Sequence, residues 1–168
     1  MKGTQINGRL WVLNDPEGKL YDDIDTDMIF HNRYLSITEM VEMGQYTFDN
    51  LEGYEDFTTK VKPGDIVISG KNFGSGSSRQ QAVDCFLSLG VQCVVAESFG
   101  SIYERNAINA AFPILAVDHM KSLKLEDGDT INLNLRTGLL KNLTKDIKIE
   151  SEPFSDVQME IYQNGGLF

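Results

Sequence analysis

The chain has 168 residues, 41% of them hydrophobic and 24% charged, enough apolar material for an ordinary globular core without disulfides or metals. Twenty-five acidic against fifteen basic residues give a net charge of −10 and an isoelectric point of about 4.6. Such a surface repels phosphate backbones and anionic membranes, so no nucleic acid and no membrane is expected as a partner.

The opening MKGTQINGRLWVL lacks the apolar run and small-residue site of a signal peptide, and no later run is long enough to span a bilayer, so a cytoplasmic location is expected. Ile6 to Leu13 alternates weakly and reads as a strand, closed by the turn residues Asn14 to Gly18. Asp22 to Phe30 mixes acids with Ile24, Met28, Ile29 and Phe30 and reads as a short strand or loop. Ser36 to Gly44 has helical spacing, with Ser36 and Glu39 as a capping box and Gly44 as the stop. Tyr46 to Thr59 is aromatic and acidic and carries no clear periodicity.

From Ile66 the pattern sharpens. A strand at Ile66–Ser69 leads into a glycine-rich loop, Gly70 to Gly76, and a predicted helix from Ser78 to Leu89 buries Ala82, Cys85, Phe86 and Leu89 before Gly90 ends it. A valine-rich strand (Val91–Ala96), a helix (Ile102–Ala111) and a strand opened by Pro113 (Ile114–Val117) complete a strand–helix–strand–helix–strand order, the mark of a parallel α/β unit. Thr130–Leu135 and Leu139–Leu143 flank Thr137-Gly138 as a hairpin; Ile147–Glu150 adds a strand, and Pro153–Asn164 a helix with Phe154, Val157, Ile161 and Tyr162 apolar. No repeat or linker divides the chain, so residues 1–168 are expected to form a single α/β domain with an antiparallel part.

The informative stretch is Gly70-Lys71-Asn72-Phe73-Gly74-Ser75-Gly76-Ser77-Ser78-Arg79-Gln80-Gln81. It lies at the carboxyl end of a strand, where parallel α/β units bind ligands. Gly74 and Gly76 allow backbone shapes that aim consecutive amides at an anion, and the following helix N-terminus adds partial positive charge. Ser78 and Gln81 also fit a simple capping box. Capping requires neither Ser77 nor an arginine in the first helical turn, where Arg79 opposes the helix dipole. Its planar fork suits a carboxylate. The loop lacks the GKS or GKT ending of a nucleotide-binding loop, and no serine sits in a GxSxG elbow. Cys85 and Cys93 are too few for an iron–sulfur cluster, and His31 and His119 stand apart, so no metal site is expected in this chain.

Four segments in order, Asp23-Ile24-Asp25-Thr26-Asp27, Arg33-Tyr34-Leu35, Phe73 to Arg79, and the stretch of Glu97 to Ile102 with Arg105 to Asn109, resemble the aconitase superfamily's swivelling domain, in particular the small subunits of 3-isopropylmalate dehydratase and homoaconitase. The resemblance implies a three-layer β/β/α fold and a hydro-lyase subunit that interconverts 2- and 3-isopropylmalate in leucine biosynthesis. It implies Ser77 as the catalytic base, held as an alkoxide by neighbouring amides and Arg79. Ser78 and Gly76 would adjoin the substrate, with Arg33 as a further carboxylate ligand. It also implies a large-subunit partner that carries a [4Fe–4S] cluster, this chain holding none, and a small dicarboxylate substrate. Where homoaconitase-type subunits carry an arginine after the YL pair, this chain has Ser36-Ile37, which suits a branched apolar group. Gln80 departs from the family's usual glutamate. A homoaconitase or dimethylmalate dehydratase subunit, or a non-catalytic anion-binding module, remain the alternatives.

Overall fold

The structure, a computed structural model, describes residues 2–167. Seven strands form one sheet: β1 (Gln5–Val12), β2 (Ile66–Ser69), β3 (Cys93–Ala96), β4 (Ile114–Ala116), β5 (Thr130–Asn134), β6 (Leu139–Asn142) and β7 (Ile147–Glu150), in the order β4-β3-β2-β1-β5-β6-β7. β1 to β4 run parallel; β5 pairs antiparallel with β1, β6 with β5, and β7 with β6. β1 serves both halves. Its residues 5–9 pair with β5, while Leu10, Trp11 and Val12 pair with Ile66, Val67 and Ile68. A strand that changes partners midway lets a sheet turn a corner. Gly8 stands at that change, where an added Cβ would lie 2.4 Å from the carbonyl of Gly64.

Side-chain alternation along the parallel strands divides the core in two. Ile66, Ile68, Cys93, Val95 and Leu115 join Ile131, Leu133 and Leu140 of the antiparallel half in one buried cluster, so the sheet curls until its two halves face each other. Val67, Val94, Ala96 and Ile114 point the other way, into a cluster with the helix layer. That layer holds α4 (Gln81–Leu89) and α5 (Ser101–Asn109), preceded in the chain by the single-turn helices α1 (Thr26–Ile29), α2 (Met40–Met43) and α3 (Phe57–Lys60). The result is the expected three-layer β/β/α arrangement. α6 (Asp156–Gln163) packs Met159 and Tyr162 against the edge of the inter-sheet cluster and leaves Val157 mostly exposed, contrary to its sequence-based place on an apolar face.

The first half of the helix layer departs from the sequence reading. Residues 26–29 form a helical turn capped by Asp25, whose carboxylate accepts from the Met28 amide. Ser36 caps nothing: a 3-10 turn (Asn32–Tyr34) precedes it, and α2 begins only at Met40, with no side-chain cap from Glu39. Gly44 is in right-handed helical geometry and passes straight into a second 3-10 turn. It is a glycine for closeness, since a Cβ there would meet Ser88 Oγ at 2.8 Å. Residues 46–57, silent in the sequence, bury Phe48, Leu51 and Phe57 completely, Phe48 and Phe57 packing edge-to-face at 4.9 Å.

Candidate active site

Three loops meet at the carboxyl ends of β1, β2 and β3, and the middle one is the glycine-rich loop. Residues 70–75 are stitched on one flank to 21–26: the amides of Gly70 and Gly74 donate to the carbonyls of Tyr21 and Ile24, and those of Asp23 and Thr26 to the carbonyls of Lys71 and Ser75. On the other flank the Phe73 amide donates to the Ser98 carbonyl and the Gly100 amide to the Phe73 carbonyl. The Asn72 amide donates to Ser98 Oγ at 2.8 Å. Gly74 has φ +81°, and an added Cβ would lie 2.2 Å from the Tyr103 ring, so the loop lies flat on α5. Tyr103 is buried, and its hydroxyl donates to the Ala82 carbonyl at 2.9 Å, so one aromatic side chain bears on both ends of the segment.

Beyond Ser75 the stitching stops. The main-chain amides of residues 76–81 donate to no acceptor among the described residues. Gly76 turns at φ +97°, and Gly76, Ser77 and Ser78 are exposed. α4 begins at Gln81, with Gln80 as an N-cap that makes no side-chain bond. The capping box expected of Ser78 and Gln81 is therefore absent. Ser78 Oγ instead accepts from Asn106 Nδ2 at 3.2 Å, and Gln81 Nε2 donates to the Leu35 carbonyl at 3.3 Å. Arg79 likewise lies ahead of the helix rather than within its first turn. A run of unspent amides before a nine-residue helix is an anion-binding arrangement.

Ser77 is held by its backbone. Thr26 Oγ1 donates to the Ser77 carbonyl at 3.0 Å, while Ser77 Oγ has no partner among the described residues. Arg79 is held by its side chain. Nη1 donates to the Phe30 carbonyl at 2.7 Å and to Asp27 Oδ1 at 3.1 Å, with the side chain only 10% exposed. Nε and Nη2 of Arg79 have no partner among the described residues, and neither is wholly buried. A guanidinium fixed by one nitrogen and open at the other two is set to receive a carboxylate. Burial pushes the Asp27 carboxyl up, but bonds from the Asn32 amide and Arg79, with His31 nearby, outweigh it and hold the group below the usual carboxylate range.

The 31–37 segment is tied to this site at two points. Asp27 Oδ1, which holds Arg79, also accepts from the Asn32 amide, and Gln81 reaches Leu35. Arg33 is 60% exposed, lies over the Tyr34 ring and stands 3.8 Å from Asp49, which also accepts from the Tyr34 hydroxyl. Ser36 is exposed, and Ile37 packs partly against the helix-side core. Sequence reasoning missed Thr26, Asp27, Tyr103 and Asn106. Thr26, Asp27 and Asn106 belong to segments it singled out and Tyr103 lies between two of them, but no spacing could reveal that they grip the serine–arginine turn.

The two cysteines do not fit an iron–sulfur cluster. Cys85 lies in the helix-side core and Cys93 in the inter-sheet core, on opposite faces of the sheet. Burial pushes the Cys85 thiol up to about 12 and raises Cys93 as well, against the thiolate form that ligation requires. Among the described residues no group of three or more His, Cys, Asp or Glu side chains is placed to hold a metal ion, and no helix is long and apolar enough to cross a membrane.

The fold and the serine–arginine turn define a class. The family described as the aconitase C-terminal domain matches residues 21–119, and the chain belongs to it. Among its relatives is a protein named 3-isopropylmalate dehydratase small subunit from Halothermothrix orenii, 43% identical over 89% of this chain and 88% of that one. Another, from Methanocaldococcus jannaschii, is named isopropylmalate/citramalate isomerase small subunit and is 41% identical over 96% of this chain and 90% of its own. A crystal structure titled 3-isopropylmalate dehydratase, from the same archaeon, superposes with a TM-score of 0.85 at 33% identity, covering 97% of this chain and 90% of that one.

Proposed function

We propose that this chain is the cytoplasmic small subunit of a heteromeric hydro-lyase, interconverting 2-isopropylmalate and 3-isopropylmalate by dehydration and rehydration in leucine biosynthesis. It acts as one swivelling domain against a large subunit that carries the [4Fe–4S] cluster. The carrying observation is the pairing of a free Ser77 hydroxyl with the uncommitted amides of residues 76–81 and the half-open Arg79 fork. A serine oxygen in water is far too weak an acid to serve as a base. Preorganised donors and a fixed cation lower the cost of its alkoxide, and that is the service such a turn supplies.

In this reading Ser77 Oγ takes the proton alpha to a substrate carboxylate, and the substrate hydroxyl would leave to the Lewis-acidic cluster of the partner; rehydration returns both. Arg79, with the amides of Gly76 and Ser78, neutralises the carboxylate and the serine oxygen. Arg33 takes a second carboxylate, and Ser36 with Ile37 meets the branched apolar group. The exposed, open setting of Ser77 accords with a site completed by the partner. That partner would also supply the positive field missing from a chain of net charge −10.

Co-expression with a three-cysteine large subunit tests the proposal. Anaerobic assays should give turnover of isopropylmalate above that of citramalate, homocitrate and dimethylmalate. Preference for homocitrate would move the assignment to the homoaconitase side. No turnover with any matched large subunit would leave only a non-catalytic anion-binding module.

A further inference from the structure

A second cavity, of about 510 Å³, opens at the carboxyl ends of β1 and β2, and the serine–arginine turn does not line it. Its apolar part is made by the half-buried Leu20 and Leu125, with Val12 and Ile68 buried beneath them at the strand ends. Three separate segments bring lysines to its walls: Lys19 from the turn after β1, Lys71 from the loop after β2, and Lys121 and Lys124 from the 3-10 turn after β4. Four of the chain's ten lysines thus meet at one cavity of a protein with net charge −10.

Those ammonium groups are largely unspent. Lys71, Lys121 and Lys124 make no ion pair among the described residues, and Lys19 reaches only Glu17 at 3.7 Å, with both side chains about three-quarters exposed. Asp22 and Glu97 also line the cavity, leaving the walls two positive charges in excess. One oxygen of Asp22 is already committed to the Lys71 amide at 2.7 Å. Like charges gathered without partners repel one another, so an anion that enters relieves that repulsion.

We propose that this cavity binds a small organic anion, with an apolar body of a few carbons against Leu20 and Leu125 and one or two carboxylates among the lysines. The volume suits a ligand of that size, and the apolar part gives a bare inorganic anion nothing to rest on. The site is distinct from the Ser77–Arg79 turn and does not depend on the function proposed for it. The two adjoin through Lys71, which belongs to the same loop.

The test uses the full chain without a partner, so its failure would leave the catalytic reading untouched. Amide NMR spectra are recorded against 2-isopropylsuccinate, which has no hydroxyl to eliminate, and against inorganic phosphate. Saturable shifts are expected at Gly18, Leu20, Lys71 and Leu125, with phosphate weaker by about 10-fold or more. Lys121→Gln with Lys124→Gln, both at exposed side chains, should weaken isopropylsuccinate by about 10-fold, while Ser77→Ala leaves it unchanged. The proposal is overturned by an absence of saturable shifts, by shifts indifferent to the two lysine changes, by equal affinity for phosphate, or by shifts confined to residues 76–81.

Discussion

Asp27 shows how much of this site depends on residues that do no chemistry. Its carboxylate holds the Arg79 guanidinium, the Asn32 amide and the Asn50 side chain together, joining the glycine loop to the segment that bears Arg33. Asp27→Ala would leave Arg79 with only the Phe30 carbonyl. Misplacement of a catalytic group by about 1 Å can cost about 100-fold, so kcat/KM of the reconstituted enzyme should fall by roughly 10- to 100-fold. Circular dichroism should stay native, because Asp27 is 40% exposed and outside the core. Unaltered kinetics would show that Arg79 needs no such anchor. At this scale the sequence was only partly legible. Ser77 and Arg79 stood out because an arginine beside two serines is more than a cap requires. Thr26 and Asp27 read only as part of a short strand or loop, because Ser77 and Arg79, which they hold, lie some fifty residues away.

Elements were legible where local pattern and burial coincide. β2, β3 and β4 are short strands with α4 and α5 between them, and apolar spacing, Gly90 and Pro113 marked them clearly. The failures were at caps. Ser36 and Ser78 each had a glutamate or glutamine three residues on, yet neither forms a box, because Ser36 lies in a turn closed by the Ile37 amide on the Tyr34 carbonyl and Ser78 accepts from Asn106. The box that does form, Ser155 with Gln158, begins α6. These two serines give opposite expectations in urea denaturation. Ser155→Ala should cost about 1 kcal/mol, whereas Ser78→Ala should stay within about 0.5 kcal/mol. Equal losses would restore Ser78 to the role of a cap. The 46–57 stretch was opaque for another reason: its aromatic residues reach the core by irregular turns, and no period records that.

Across the whole molecule, the net charge is carried by an acid-rich surface, yet several acids are structural. Burial pushes the Asp65 carboxyl up, but Arg9 at 2.8 Å, the Lys62 amide at 2.9 Å and Trp11 Nε1 at 2.8 Å reverse that and hold it low. Asp129 is lowered in the same way, burial being outweighed by Lys145 at 3.0 Å and by Asn142 and the Glu126 amide, each at 3.1 Å. With Asp27, these groups bind protons less readily folded than unfolded. Their stabilisation is full above the unfolded carboxylate value of about 4 and is lost as pH falls through their lower folded values. Asp84, pushed up by burial, works the other way and is a single group against three. Urea midpoints should therefore drop steadily below about pH 4. Asp65→Asn should cost about 2 kcal/mol at neutral pH and flatten that acid limb. A midpoint indifferent to acid would deny these carboxylates their structural part.

Turnover by this subunit would depend on whether the Ser77 oxygen can be held as a base by the turn around it. The most direct measurement is steady-state kinetics of the reconstituted enzyme carrying Ser77→Ala, beside Ser78→Ala as its neighbour. Ser77→Ala should lower kcat by about 1,000-fold or more with KM little changed, since in the proposed mechanism Arg79 and the amides would still hold the carboxylate. A Ser77→Ala enzyme that keeps kcat within about 10-fold of the parent, or one that loses affinity while its kcat is retained, would show that Ser77 is not the base.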